Sequence, residues 1–156
     1  MILKDLVELN RISFHEKFDN WEDALYAASQ PLIDEGAIEP IYVEAMIESV
    51  KKYGPYIVLA PHIAMPHSQE GAEGVNKTAI CFMKVEQPVS FEEGDDEKDA
   101  ELFFVLASEN NDQHMKNMQD LVEVLSIDDF TEKMLLVKNS EDLLALDKEF
   151  AAQLEE

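Results

Sequence analysis

Three of the four histidines stand where an imidazole could do chemistry. His62 and His67 flank Ile-Ala-Met-Pro within LAPHIAMPHS (59–68), and His114 follows Asn110–Asp112, a stretch that can cap a helix. Near neutral pH an imidazole serves as nucleophile, general base or metal ligand. Pro61 and Pro66 stiffen the first segment, each fixing its own φ and pushing Ala60 or Met65 towards an extended form. A strand that ends in such a rigid loop holds a side chain in one place, as a reaction centre requires. Ser68 puts a hydroxyl donor next to His67. Near the first turn of a helix, His114 meets free N–H groups and a macrodipole that favour an anion and disfavour imidazolium. If the two sites converge, a neutral His67 beside His114 suits the acceptance of a phosphoryl group on one ring nitrogen.

Other chemistries are weaker. His62 and His67 could bind a metal with Glu70, Glu73 and His114, but there is no HExxH pattern, and two histidines five apart on a proline-bent loop are a poor metal signature. No GxSxG elbow supports a Ser–His hydrolase. Cys81, the one cysteine, excludes an internal disulfide and reads as a small buried hydrophobe in TAICFMKV. His15, with no polar cluster beside it, reads as solvated or structural.

The elements that must position these residues follow from periodicity. Asp19 or Asn20 caps a helix from Trp21, with Ala24, Leu25, Ala28 and Leu32 at helical spacing and Gly36 as its stop. Pro31 predicts a kink or break near Gln30. Pro40 opens a second helix that carries Val43, Met46, Ile47 and Val50 on one face and ends at Gly54. YIVLA, TAICFMKV (78–85) and ELFFVLA (101–107) are apolar on both faces and read as strands covered on each side. The acidic run FEEGDDEKDAE (91–101) reads as a solvated loop between the last two. A helix from Asn110–Asp112 to about Ser126 is expected to turn Met115, Met118, Leu121, Val122 and Leu125 inward. A short helix over 130–137 and a last one after Asn139-Ser140 complete a layered α/β unit.

Composition narrows the function classes. The 156 residues fit one domain, spanning 1–156. No apolar run reaches membrane-spanning length, and MILKDLVELNR is not a secretory signal, so the expected location is the cytoplasm. A net charge of −22, from 34 acids against 12 bases, repels nucleic acid and anionic membranes and attracts basic protein faces. Arg11 is the sole arginine, so any anion site must rely on backbone N–H groups, hydroxyls, histidine and lysine.

GPYIVLAPHIAMPHS (54–68), a strand, QPVSF (87–91), LFFVLAS (102–108), the His-led helix and LVEVLSIDDF (121–130) together resemble an enzyme IIA domain. The similarity is to the mannitol/fructose type of the bacterial sugar phosphotransferase system, from about Trp21 to the terminal helix. The GPY-I-V-L-AP-x-IAMPH version resembles the L-ascorbate branch. The resemblance implies a central mixed β-sheet with helices on both faces. It also implies a phosphotransferase whose His67 is phosphorylated, on Nε2, with His114 beside it binding the phosphoryl group. Phospho-HPr would donate, an enzyme IIB would receive on a cysteine, and a membrane enzyme IIC would be served indirectly. No cofactor or metal is implied. The sugar is expected to be L-ascorbate or a related sugar or polyol; the alternative is a regulatory phosphoacceptor not dedicated to transport. Two departures stand out. Where mannitol-type members carry an arginine, this chain reads ESVKKYG, leaving Lys51, Lys52 or nothing in its place. His62 replaces a common glycine and is either a second polar group in the pocket, with Ser68, or an exposed loop residue.

Overall fold

The computed structural model describes residues 2–68 and 71–154. In chain order the elements are α1 (Ile2–Glu8), β1 (Ile12–His15), α2 (Trp21–Asp34), α3 (Pro40–Tyr53), β2 (Val58–Ala60), β3 (His62–Ala64) and β4 (Ala79–Ser90). A 3₁₀ turn (Asp96–Lys98) leads into β5 (Asp99–Ala107), followed by α4 (Asn111–Leu125), α5 (Phe130–Leu135) and α6 (Ser140–Leu154).

The strands form one mixed sheet in the order β1-β4-β5-β3-β2. β4 and β5 run antiparallel at its centre, β1 lies parallel to β4, and β3 lies parallel to β5. Central placement explains why β4 and β5 are apolar throughout: alternate residues enter two different cores. Phe103, Val105 and Ala107 pack with Leu25, Leu32, Val43 and Met46 of α2 and α3. Leu102, Phe104 and Leu106 pack with Leu3 of α1, Leu121 of α4, Phe130 of α5 and Phe150 of α6. Helices thus cover both faces. Among the described residues no helix is long and apolar enough to cross a membrane.

Local signals set most boundaries. Asn20 Oδ1 accepts from Asp23 N–H and starts α2; Pro40 sits in the first turn of α3 and Gly54, at φ +82°, ends it. Gly74, at φ +87°, is required for packing: a Cβ there would lie 2.6 Å from Ile41 Cγ2 and 2.8 Å from Tyr42 N. Its carbonyl accepts from Glu39 N–H at 2.8 Å, which seats the start of α3.

Several expectations change. Helix α2 runs through Pro31 without a break. The segment 59–64, expected to become a loop after a single strand, forms the short antiparallel pair β2 and β3. The N-terminal segment forms α1 and β1, neither of which periodicity had assigned. On α4, Met115 (57% exposed) and Val122 (47%) face outward rather than inward. The buried arc centres near Leu121, and at about 100° per residue both side chains lie roughly a quarter-turn or more away from it.

Candidate functional site

The carboxyl ends of the parallel strands β3 and β5 point the same way, and beyond them lies a cleft of about 360 Å³. Open α/β sheets favour ligand sites at such strand ends. Pro66 O accepts from Leu106 N–H at 2.9 Å, so the chain leaving β3 stays alongside β5 until His67 enters the cleft. Beyond Ala107, Ser108 and Glu109 lead to Asn110, whose Oδ1 caps α4 by accepting from Gln113 N–H at 2.9 Å. His114 follows in the first turn. Strand ends and a helix start thereby join residues 47 positions apart in sequence.

The imidazoles of His67 and His114 lie 5.3 Å apart, centroid to centroid, tilted by 40°. His67 is 7% exposed, and its Nδ1 is 2.6 Å from Met65 O. A carbonyl oxygen only accepts, so Nδ1 carries the ring proton and Nε2 holds the free lone pair. Burial lowers the His67 pKa; the Met65 carbonyl works against this, and the neighbouring His114 adds to the lowering. At pH 7 the ring is neutral and nucleophilic. Tyr56 packs edge-on against it, rings 5.2 Å apart at 87°.

The rest of the cleft offers donors suited to an anion. Ser68 lines the cleft, as do Asn110 and Asn111, and Ser108 lines it with its Oγ buried and unpartnered. Asn110 occupies the N–H groups of Gln113 and His114, so those of Asn111 and Asp112 are the donors α4 itself leaves over. Among the described residues, no lysine or arginine lines this cleft. Lys51 and Lys52 are exposed elsewhere on α3, with Lys52 Nζ 5.1 Å from the Tyr53 ring centroid.

His67, His114 and Ser68 are therefore brought together; His62 is not. It sits at the start of β3, opposite Ala100 in register, with a φ of +81°. Its Nδ1 lies 3.0 and 3.1 Å from the two oxygens of the buried Glu101 carboxylate. Among the described residues no three His, Cys, Asp or Glu side chains cluster as a metal site. Of the acids considered with the histidines, Glu73 is exposed and Glu70 lies outside the described residues. Cys81 is fully buried, with its thiol donating to Ala28 O and its pKa pushed up by burial.

The chain matches the sequence profile of the phosphoenolpyruvate-dependent sugar phosphotransferase system EIIA 2 family over residues 5–149. It belongs to that family. Among characterised relatives, the ascorbate-specific EIIA component of Shigella boydii is 27% identical over 94% of this chain and 95% of its own. The mannitol-specific cryptic enzyme IIA of Escherichia coli superposes with a TM-score of 0.80 at 31% identity, over 93% of this chain and 97% of the other. The mannitol enzyme IIA of E. coli, solved in complex with phosphorylated enzyme IIB, gives 0.74 at 27%, over 87% and 92%. As an EIIA component of a sugar phosphotransferase system, the chain has a role in phosphotransfer.

Sequence reasoning about this EIIA missed Tyr42, Tyr56 and Ser108. Tyr42 looks like one more core aromatic on α3, and Ser108 like the tail of an apolar strand. The only available signal was that Ser108 and Asn110 directly precede a histidine-bearing helix.

Proposed function

We propose that this EIIA accepts a phosphoryl group from phospho-HPr on His67 Nε2 and passes it to a cysteine of an enzyme IIB, in the cytoplasm. One observation carries the reading. A buried, neutral His67 has Nδ1–H tied to Met65 O, so Nε2 is the nucleophilic nitrogen, in a cleft shared with His114 and the start of α4.

In the forward step the Nε2 lone pair attacks phosphorus as the P–N bond to the HPr histidine breaks and its electron pair returns to the HPr ring. The His67 ring gains positive character, which the Nδ1–H···O=C bond to Met65 stabilises. The phosphoryl oxygens take hydrogen bonds from His114, the Ser68 and Ser108 hydroxyls and the free N–H groups of α4. In the onward step a thiolate attacks phosphorus, the P–Nε2 bond breaks, and its pair returns to Nε2 to restore neutral His67. The site supplies position and hydrogen bonds, and no step calls for a metal.

The substrate of the wider system is L-ascorbate or a related sugar or polyol, supported by the ascorbate-specific relatives and by the GPY-led loop. The net charge of −22 steers basic faces of the partner proteins, so transfer should slow as salt rises. Incubation with phosphorylated HPr is the test. A mass gain of one phosphoryl that His67→Ala abolishes is expected, followed by its loss on adding enzyme IIB. Label persisting in His67→Ala would overturn the assignment, and a stable label that enzyme IIB cannot discharge would favour the regulatory alternative.

A further inference from the structure

Two phenols grip the two ends of a single peptide unit, the one that follows His67. The Tyr56 hydroxyl donates to His67 O, and the Tyr42 hydroxyl accepts from Ser68 N–H at 3.3 Å. Tyr42 in turn donates to Leu106 O at 2.7 Å, which ties that grip to the central strand β5. We propose that Tyr42 and Tyr56 are positioning residues for the phosphoryl relay, clamping the His67–Ser68 peptide so that the imidazole stays against Met65 O with Nε2 as its free nitrogen.

The backbone on the other side of His67 is already held. Met65 N–H donates to Ile57 O at 2.7 Å and Leu106 N–H donates to Pro66 O at 2.9 Å. These bonds place Met65 O, but they do not by themselves determine how the His67 backbone presents its ring. The peptide after His67 lies outside β3 and has no sheet ladder to orient it; in the structure the phenols perform that task. The edge-on Tyr56 ring adds a side wall that limits rotation of the imidazole. The Tyr42 hydroxyl is itself buried, and its pKa is pushed up to about 12, so it remains a protonated donor to Leu106 O across the working pH range.

The clamp has two chemical effects. It selects the Nδ1–H tautomer, because only that tautomer can donate to Met65 O. It also engages Ser68 N–H with Tyr42, so the donors left for the phosphoryl group are side chains and the start of α4. Neither tyrosine needs to touch the phosphoryl group. A misplacement of order 1 Å at a reacting nitrogen can cost roughly a hundredfold in rate, so losing one of two anchors is expected to cost about tenfold.

This inference rests on the relay reading of His67, and the experiment separates the two. Tyr42→Phe, Tyr56→Phe and the double variant keep the rings and remove only the hydroxyls. Transfer from phosphorylated HPr is timed for each, and the His67 tautomer is read from ¹⁵N chemical shifts of the ring in unphosphorylated protein. Each single variant should transfer about tenfold more slowly with KM for HPr unchanged, and its Nδ1–H tautomer should give way to a mixture with Nε2–H. Folded variants that keep the Nδ1–H tautomer and transfer within twofold of the unaltered protein would overturn the clamp. If the unaltered protein takes no phosphoryl group on His67, the relay reading falls. The ¹⁵N shifts of the Phe variants would still decide whether the phenols hold the ring.

Discussion

Asn110→Ala tests whether the start of α4 seats the phosphoryl group. Asn110 makes two bonds at this helix end: its Oδ1 accepts from Gln113 N–H at 2.9 Å and its backbone O accepts from His114 N–H at 3.0 Å. Alanine removes the first and keeps the second, a loss of about 1 kcal/mol for an N-cap. In a domain of this size that lowers Tm by roughly 2–4 °C. The local effect should be sharper, because the buried side chains of α4, Leu121 and Val124, both lie in its C-terminal half. The first turn, with His114 and the free N–H groups, depends on the cap. If the whole ~1 kcal/mol appears as lost order there, transfer falls about fivefold. The assays are thermal melting, amide exchange at 113–114 and timed transfer from phosphorylated HPr. Asn110→Ser keeps a capping oxygen and should restore both stability and rate. Asn110→Asp keeps the cap and suits the helix dipole, so it should melt at or above the unaltered protein yet transfer more slowly, since it sets a negative charge before an incoming dianion. An alanine variant that melts lower but transfers at the normal rate would refute a role for this helix end.

Three other outcomes follow from named contacts. Arg11 Nε and Nη2 donate to Glu35 at 2.6 and 2.9 Å, and these bonds, with help from Lys77, pull the Glu35 pKa down to about 2. Arg11→Ala should cost about 1 kcal/mol at neutral pH, the pair being near the surface. That difference is complete above pH ~4.5 and should shrink as pH falls towards 2; a pH-independent gap in urea midpoints would contradict it. For His67 the sign is the same, because burial also lowers its folded pKa. The unfolded ring protonates near pH 6.5 and the folded one resists, so its contribution is intact above that pH and stability is lost as pH falls towards the lowered folded value. His67→Ala should flatten that part of the stability curve, and parallel curves between pH 7.5 and 5 would argue against a depressed pKa. His62→Ala removes the pair to Glu101 while keeping a positive φ, so it should destabilise the fold by roughly 1–2 kcal/mol, by analogy with other buried unpaired polar groups. Its transfer rate should match the unaltered protein at a temperature where both are folded.

The fate of His62 shows where sequence reading stops. In LAPHIAMPH the two histidines look like neighbours, but five residues of extended chain span about 16 Å, so His62 and His67 sit at opposite ends of one run. β2 lies within YIVLA, which reads as a strand, though it forms the sheet edge with Leu59 exposed rather than covered on both sides. β3 was illegible because a three-residue strand directly after Pro61 carries no period. By contrast β4 and β5 were plain, since residues apolar on both faces need cover on both, and α3 was bracketed by Pro40 and Gly54. The His67–His114 pairing could not come from spacing, with the two residues 47 positions apart; the family resemblance suggested it, and the parallel pairing of β3 with β5 places the rings together. Tyr42 and Tyr56 were hidden for another reason. A buried tyrosine reads as core, and only coordinates reveal that its hydroxyl meets a particular peptide.

The lack of a fixed cation along the described cleft wall bears on the energetics of the proposed relay. A guanidinium beside the nucleophile would add a charge-assisted, bidentate hold on the dianion and so deepen the phosphorylated state. Hydroxyls, amides and a second imidazole bind it by directional bonds that loosen as the P–N bond stretches. The phosphoryl group on His67 should then keep a transfer potential close to that of a free phosphoimidazole. Its direction of flow would be set by which partner is charged and which is empty, so that the protein behaves as a conduit and stores little.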